Sequence, residues 1–268
     1  MNGFNLSDIT DAKLGTTTLG SIYLGSTKLW PLSNIDYSQE YLTITSLTDN
    51  NTITWTFTGS NPLQNVIYWS KNGTSWTYAI ASTSDTPVSL ATLNKGEKMY
   101  LKGENNKYAS STSKYSHFNS DAKFNISGNI MSLIYGDNFI GHTTLPSAYS
   151  FVSIFSNSKV YDAYNLILPA TTLKPSCYNS MFYGCTSLAT APELPATTLA
   201  SSCYSSMFSG CKSLSYIKCL ATDISAPYSS SNWLKNVAST GTFVKTSTMT
   251  SWSSGASGIP SSWTVVNV

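Results

Sequence analysis

The stretch from Leu168 to Cys219 constrains the fold more than any other part of the chain. Leu168-Pro-Ala-Thr-Thr-Leu173 recurs as Leu194-Pro-Ala-Thr-Thr-Leu199, 26 residues later. Cys177-Tyr178, Met181-Phe182, Gly184-Cys185 and Ser187-Leu188 recur as Cys203-Tyr204, Met207-Phe208, Gly210-Cys211 and Ser213-Leu214. Sixteen of 26 aligned positions are identical. A fixed period of this length is the mark of stacked units, because one unit cannot bury its apolar face without a neighbour. The expected repeat core is Leu168, Leu173, Cys177, Met181, Phe182, Leu188 and Leu194, then Leu199, Cys203, Met207, Phe208 and Leu214.

Within a unit, Leu173, Cys177, Tyr178, Met181 and Phe182 fall at helical spacing, which predicts a short helix with one apolar face. Pro175 suits its first turn, and Gly184 is placed to end it in the left-handed conformation. Leu188 to Leu194 is short and punctuated by Pro192, so it reads as an extended return to the next unit. A degenerate copy precedes the pair, at Ser153-Ile-Phe155, Val160 and Tyr164-Asn-Leu166. A truncated one follows, at Leu220-Ala-Thr-Asp-Ile224 and Trp233-Leu234. Weaker end copies are expected where a stack meets water.

These residues carry a resemblance. The pattern Leu-Pro-Ala-Thr-Thr-Leu, Cys-Tyr, Met-Phe, Gly-Cys, Ser-Leu is similar to the BspA-type leucine-rich repeats. Such repeats occur on surface proteins of anaerobic gut and oral bacteria, and in fibre-like proteins of the tailed phages that infect them. The run Trp233-Leu-Lys-Asn-Val237, Gly241-Thr-Phe-Val244, Ser251-Trp252 and Gly258-Ile-Pro-Ser-Ser-Trp263 resembles the usual ending of such arrays. The likeness covers roughly the last half of the chain and speaks to architecture more than to role. It implies a leucine-rich-repeat solenoid closed by a β cap over 127–268.

The 268 residues suffice for two or three modules. Charged residues make up only 10%, against about 25% in a typical soluble domain. Ser, Thr, Asn and Tyr carry the polarity instead, a composition suited to β-rich extracellular or virion proteins. Aromatic content of 13% argues against disorder. All 15 basic residues are lysine, and they are scattered. A nucleic-acid partner is therefore not expected, since phosphate recognition concentrates basic charge and favours arginine. No apolar run approaches the length of a membrane span. The start, Met1-Asn-Gly-Phe-Asn-Leu-Ser-Asp8, lacks the basic and apolar regions of a secretory signal. That fits a protein made in the cytoplasm and carried out on a particle.

Residues 1–33 contain two short β-type runs, Lys13–Leu19 and Ile22–Trp30. Leu14, Leu19, Ile22, Leu24 and Trp30 are more apolar surface than so short a peptide can bury alone. The segment reads as a docking element or as a hairpin packed on its own neighbour. Its Ile-Tyr-Leu-Gly…Leu-Trp pattern is similar to the start of phage fibre and appendage proteins, which implies attachment to another virion protein. That resemblance also implies a homo-oligomer, with a trimer favoured.

From 36 to 126 the pattern is β. Expected strands are Tyr41–Thr45, Thr52–Thr58, Val66–Ser70, Ser75–Ile80, Pro87–Leu90 and Lys98–Lys102. Thr52 to Thr58 alternates strictly, so Ile53, Trp55 and Phe57 should face inward. Asn72-Gly73 predicts a two-residue hairpin turn. Together these predict a small immunoglobulin-like β-sandwich. Ser70-Lys-Asn-Gly-Thr-Ser-Trp76 resembles the Asp-box hairpin of sialidases, one residue short and with Asn in place of Asp. That box is structural even where intact. Lys123 to Tyr135 joins the halves and is apolar enough to cap the first repeat.

Candidate chemistry is sparse. The 13 acids are dispersed, whereas glycoside hydrolysis needs two carboxylates at fixed separation. His117 and His142 stand alone, with no ligand or triad spacing. The five cysteines, 177, 185, 203, 211 and 219, show no Cys-x-x-Cys, so buried small side chains are expected rather than zinc. Disulfides between stacked units remain an alternative, with an odd thiol left over. No enzyme activity, cofactor or metal is expected. The positive signal is aromatic: Tyr68, Trp69, Trp76 and Tyr78 surround one hairpin and make a candidate surface for protein or glycan.

The sequence thus points to a mainly β chain with short helices. It has a docking segment at 1–33, a β-sandwich at 36–126, and a repeat domain with its cap at 127–268. The expected role is a non-enzymatic virion appendage, a head or tail fibre, that contacts a host-surface protein or glycan. The alternatives are a bacterial cell-surface adhesin and, further off, a polysaccharide-degrading enzyme.

Overall fold

Alternation along Asn51–Thr58 sets the first half of the molecule. Ile53, Trp55 and Phe57 are fully buried, and the threonines between them line the other face. The structure, a computed structural model, describes residues 36–81 and 85–268, together with the backbone of four short strands nearer the N-terminus. The chain is mainly β, and among the described residues one short α-helix forms, α1 (Ser132–Tyr135). It divides into two compact units, Met1–Asp36 and Tyr37–Val268.

In the first unit β1 (Lys13–Leu14) pairs antiparallel with β2 (Thr17–Thr18), and β3 (Ile22–Leu24) with β4 (Thr27–Trp30). The side chains of Leu14, Leu19, Ile22, Leu24 and Trp30 lie outside the described residues.

The second unit opens with nine strands in two sheets. They are β5 (Leu42–Ser46), β6 (Asn51–Thr58), β7 (Val66–Ser70), β8 (Thr77–Ile80), β9 (Val88–Leu93), β10 (Lys98–Gly103), β11 (Ala109–Ser111), β12 (Lys114–Ser120) and β13 (Phe124–Asn129). One sheet runs β13-β5-β10-β7-β8 and the other β11-β12-β6-β9. Ile44, Ile67, Met99 and Leu101 of the first meet Trp55, Phe57, Leu90 and Phe118 of the second in one core. The β7–β8 connection differs from the expected two-residue turn. Trp69 pairs with Thr77, so the loop is longer. Asn72 Oδ1 accepts bonds from the Thr74 and Ser75 amides, and Ser70 Oγ accepts from Asn72 and Gly73. Side-chain oxygens thus hold the loop, and the tight turn is unnecessary.

β13 is shared between the two halves. On one side it pairs antiparallel with β5. On the other it pairs parallel with β14 (Val160–Asp162) and β15 (Leu166–Ile167). It therefore runs across the 126/127 boundary. Gly128 permits the double pairing: its φ is +81°, and a Cβ there would land on the Tyr41 carbonyl oxygen.

Beyond β13 the sequence copies lie side by side, each offset by one period. Parallel bridges link Thr144, Thr172, Thr198 and Asp223 in series, and Asp162, Thr190 and Tyr216 in a second series. Strands β16 (Tyr216–Cys219), β17 (Thr242–Lys245) and β18 (Thr264–Asn267) then form a parallel sheet at the C-terminal end.

The expected helix at Leu173–Gly184 does not form. The segment is a succession of turns in which amides alternate between two tasks. Cys177, Asn179, Met181, Tyr183 and Cys185 donate to the carbonyl three residues back. Ser176, Tyr178, Ser180, Phe182 and Gly184 donate sideways to Ser201, Cys203, Ser205, Met207 and Ser209 of the next copy, at 2.8–3.1 Å. An α-helix would use every one of these amides internally. Turning half of them outward requires a left-handed residue at every fourth position. Those positions are Tyr149, Ser153 and Asn157; Ser176, Ser180 and Gly184; Ser202, Ser206 and Gly210; and Tyr228, Asn232 and Asn236, all with φ between +51° and +81°. The apolar spacing survives because a four-residue coil and a helix place nearly the same side chains inward. All twelve expected core residues, from Leu168 to Leu214, are buried.

Two aromatic columns run along the molecule. Phe118, Phe155, Phe182 and Phe208 stack at 5.8, 5.6 and 5.5 Å between centroids. Tyr108, Phe151, Tyr178, Tyr204, Trp233 and Trp252 form the second, at 5.1–6.2 Å. Both begin in the sandwich and continue into the repeats, so one hydrophobic core serves both. In the last copy Ser230 occupies the register position of Tyr178 and Tyr204. Trp233, which stands in the register of Met181 and Met207, supplies the missing ring and anchors it through Nε1 to the Gly258 carbonyl at 2.8 Å.

Candidate binding groove

β16 shows how the fold places a site on the repeat face. Its parallel pairing with β17 and the bridges Thr190–Tyr216 and Leu194–Cys219 fix its orientation. Alternation then sends Ile217 and Cys219 fully into the core and leaves Tyr216 and Lys218 outward. The neighbouring copies contribute Tyr164 and Asn165 just before β15, and Glu193 and Pro195 just before and after Leu194. These residues line a groove of about 490 Å³, with Leu166, Leu168 and Tyr37 completing its wall. Its volume lies within the range of about 300–1,000 Å³ usual for small-molecule sites.

The groove's electrostatics are local. Lys218 Nζ meets Glu193 Oε2 at 2.8 Å, and that hydrogen bond raises the ammonium's pKa. Burial raises the Tyr216 phenol, and the neighbouring Tyr164 phenol adds to the effect. Tyr164 itself stands 59% exposed. The groove thus has three tyrosines, Tyr37, Tyr164 and Tyr216, an apolar floor and one internally balanced ion pair. Such a site can bind and orient a ligand.

A second recess, of about 240 Å³, holds part of the hairpin expected to bind. Tyr68 and Trp76 line it with Lys102, Glu104 and Asp137. Lys102 Nζ lies 4.2 Å from the Trp76 ring centroid and 2.7 Å from Asp137. Tyr41 packs edge-on to Trp76 and donates its hydroxyl to Asp137 at 2.7 Å. The Lys102 bond holds the Asp137 carboxyl below its ordinary range. Burial, aided by Asp137, pushes the Tyr41 phenol up to about 12. Lys102 and Asp137 are thus paired with each other within the cluster. Of the four hairpin aromatics, Tyr68 and Tyr78 are cross-strand partners on one face, where Tyr68 also lines the recess with Trp76, while Trp69 is on the other face and packs against the core.

The remaining candidates are half-buried, stacked on rings or in the core. Burial lowers the pKa of His117 to about 4, and its Nδ1 has no hydrogen-bond partner. His142 stacks on Tyr135 at 3.6 Å. All five cysteines are buried free thiols. Cys185 and Cys211 donate to the Phe155 and Phe182 carbonyls of the preceding copy, at 2.9 and 3.0 Å. Among the described residues no group of three or more His, Cys, Asp or Glu side chains is placed to hold a metal ion. Nor, among them, is any helix long and apolar enough to cross a membrane.

Sequence reasoning passed over the groove because it followed the identical repeat positions. Aligned by period, Tyr216 stands against Thr190 and Lys218 against Pro192. The substitutions between otherwise matching copies were the available signal.

No protein-family model matches the chain, and neither a curated protein nor a solved structure matches it.

Proposed function

We propose that this chain is a non-enzymatic appendage protein of a phage particle. It attaches through residues 1–33 and presents a leucine-rich-repeat solenoid, 127–268, whose groove engages the host surface. The observation that carries this reading is the continuity of the core. β13 belongs to both sandwich and repeats, and both aromatic columns cross from one to the other. Such an arrangement holds the repeat face in a fixed orientation to the sandwich, as an attachment protein requires. The repeat pattern and the Ile22–Trp30 run support the assignment to phage fibres through their resemblance, which also supports a homo-trimer. Whether the appendage belongs to head or tail follows from which virion protein the N-terminus touches, and cross-linking of intact particles identifies it. Deleting residues 1–33 should abolish incorporation into particles and leave the 37–268 unit folded. Full incorporation of the truncated chain would refute the reading.

A further inference from the structure

We infer that the groove between Tyr164 and Tyr216 binds a neutral glycan chain. The inference deepens the function proposed above, and rests on it for the groove being a host-facing site. Three features of the groove select this ligand class.

The first is the pair of tyrosines. Tyr164 and Tyr216 come from copies two periods apart, brought to one groove by the bridge series Asp162–Thr190–Tyr216. Tyrosine offers a rigid, flat, amphipathic face whose ordering costs little entropy. A sugar ring presents an apolar C–H face to such a surface and hydroxyls at its rim.

The second is charge. Lys218 and Glu193 are in contact at 2.8 Å and partly exposed, with side-chain exposures of 33% and 48%. They cancel each other. An anionic ligand would have to compete with Glu193 for Lys218, and a cationic one with Lys218 for Glu193. Neither gains a free counter-charge from this pair.

The third is hydrogen-bonding valence. The paired ammonium keeps two further N–H donors, the carboxylate keeps free lone pairs, and the Asn165 amide supplies both kinds. Sugar hydroxyls donate and accept at once, so they can use this mixture without breaking the ion pair. Pro195 adds apolar surface and no donor.

The test uses the full chain and four neutral hexasaccharides: maltohexaose, cellohexaose, mannohexaose and xylohexaose. Hexagalacturonate and a sialic acid hexamer serve as charged probes. Titration calorimetry should show binding of at least one neutral probe and of neither acidic one. Tyr164→Ala and Tyr216→Ala should each weaken that binding at least about tenfold, the equivalent of one lost stacking contact. Tyr183→Ala, an exposed tyrosine outside the groove, should leave it unchanged. Unaltered melting temperatures will show that the variants remain folded. Binding of no neutral probe, preference for an acidic one, or insensitivity to both groove substitutions overturns the inference. Incorporation into particles is scored on the unsubstituted chain and on Tyr216→Ala. Normal incorporation of the unsubstituted chain without its binding any neutral probe overturns the glycan inference alone. Failure of the unsubstituted chain to incorporate overturns the appendage reading and leaves the calorimetry standing.

Discussion

Gly184 and Gly210 occupy the same place in successive copies, yet alanine should affect them differently. Both are left-handed, with φ +70° and +81°. An added Cβ in that conformation costs about 1 kcal/mol at either site. At Gly210 the nearest atom to such a Cβ is Gly184 Cα at 3.4 Å, an ordinary contact. At Gly184 the Cβ lands against Asn157 Oδ1, which must swing away. Asn157 then loses the bond from its Nδ2 to Ser156 Oγ, 3.3 Å long in the native fold. That loss and the forced rotamer each add about 1 kcal/mol. Gly210→Ala should therefore cost about 1 kcal/mol and Gly184→Ala roughly 3 kcal/mol. For a unit of this size those losses are melting shifts of roughly 2–4 °C and 6–12 °C. Thermal unfolding followed by near-ultraviolet circular dichroism reads both. Asn157 has φ +55° and tolerates glycine; Asn157→Gly relieves the clash and the forced rotamer but also lacks the bond to Ser156, so the double variant should recover about 1 kcal/mol, to a loss of roughly 2 kcal/mol. Equal losses at the two glycines, or no recovery in the double variant, would refute the stacking register on which the calculation rests.

Three further outcomes follow from buried polar groups. Tyr178 is fully buried and its hydroxyl has no partner, so Tyr178→Phe should raise stability by about 1 kcal/mol in a urea titration; a loss would contradict the orphaned hydroxyl. Burial pushes the Cys185 thiol up to about 11 and Cys203 and Cys219 to about 12, so a thiol reagent should label none of the five cysteines in the native chain and all of them in denaturant. His117 is held neutral, with its pKa lowered to about 4, and the unfolded chain binds the proton first. Its contribution is therefore complete above about pH 6.5 and declines towards pH 4, by at most roughly 3 kcal/mol. The raised pKa of Asp162 acts in the opposite direction at the acid end of this window. The relevant measurement is thus the difference between the native chain and His117→Gln, which should shrink as pH falls through the window and fails the argument if it is flat.

The contrast between what was legible in this sequence and what was not has a physical origin in the repeats. Period-two alternation has one structural solution, a strand with one buried face, and Ile53, Trp55 and Phe57 are buried as their spacing requires. Apolar residues at Leu173, Cys177, Tyr178, Met181 and Phe182 have two solutions. A helix of 3.6 residues per turn and a coil of four bring the same side chains inward over so short a run. The deciding information lies in the residues between them. Ser176 and Ser180, like Ser202 and Ser206, hold positive φ at a cost, and the sideways amide bonds to the next copy offset it. That return exists only when a neighbour is present, so no local propensity reveals it. The groove was hidden for a related reason. Identity between copies marks what the stack needs, while the differing outward positions, Tyr216 and Lys218 among them, are released from that need and free to serve a ligand. The continuous core joins both levels. Because Phe118 passes its stacking to Phe155 and Tyr108 to Phe151, loosening the sandwich should loosen the groove. Trp55, Trp69 and Trp76 at one end and Trp233, Trp252 and Trp263 at the other should then report a single unfolding transition. Two separated transitions would show that the aromatic columns do not transmit stability across β13.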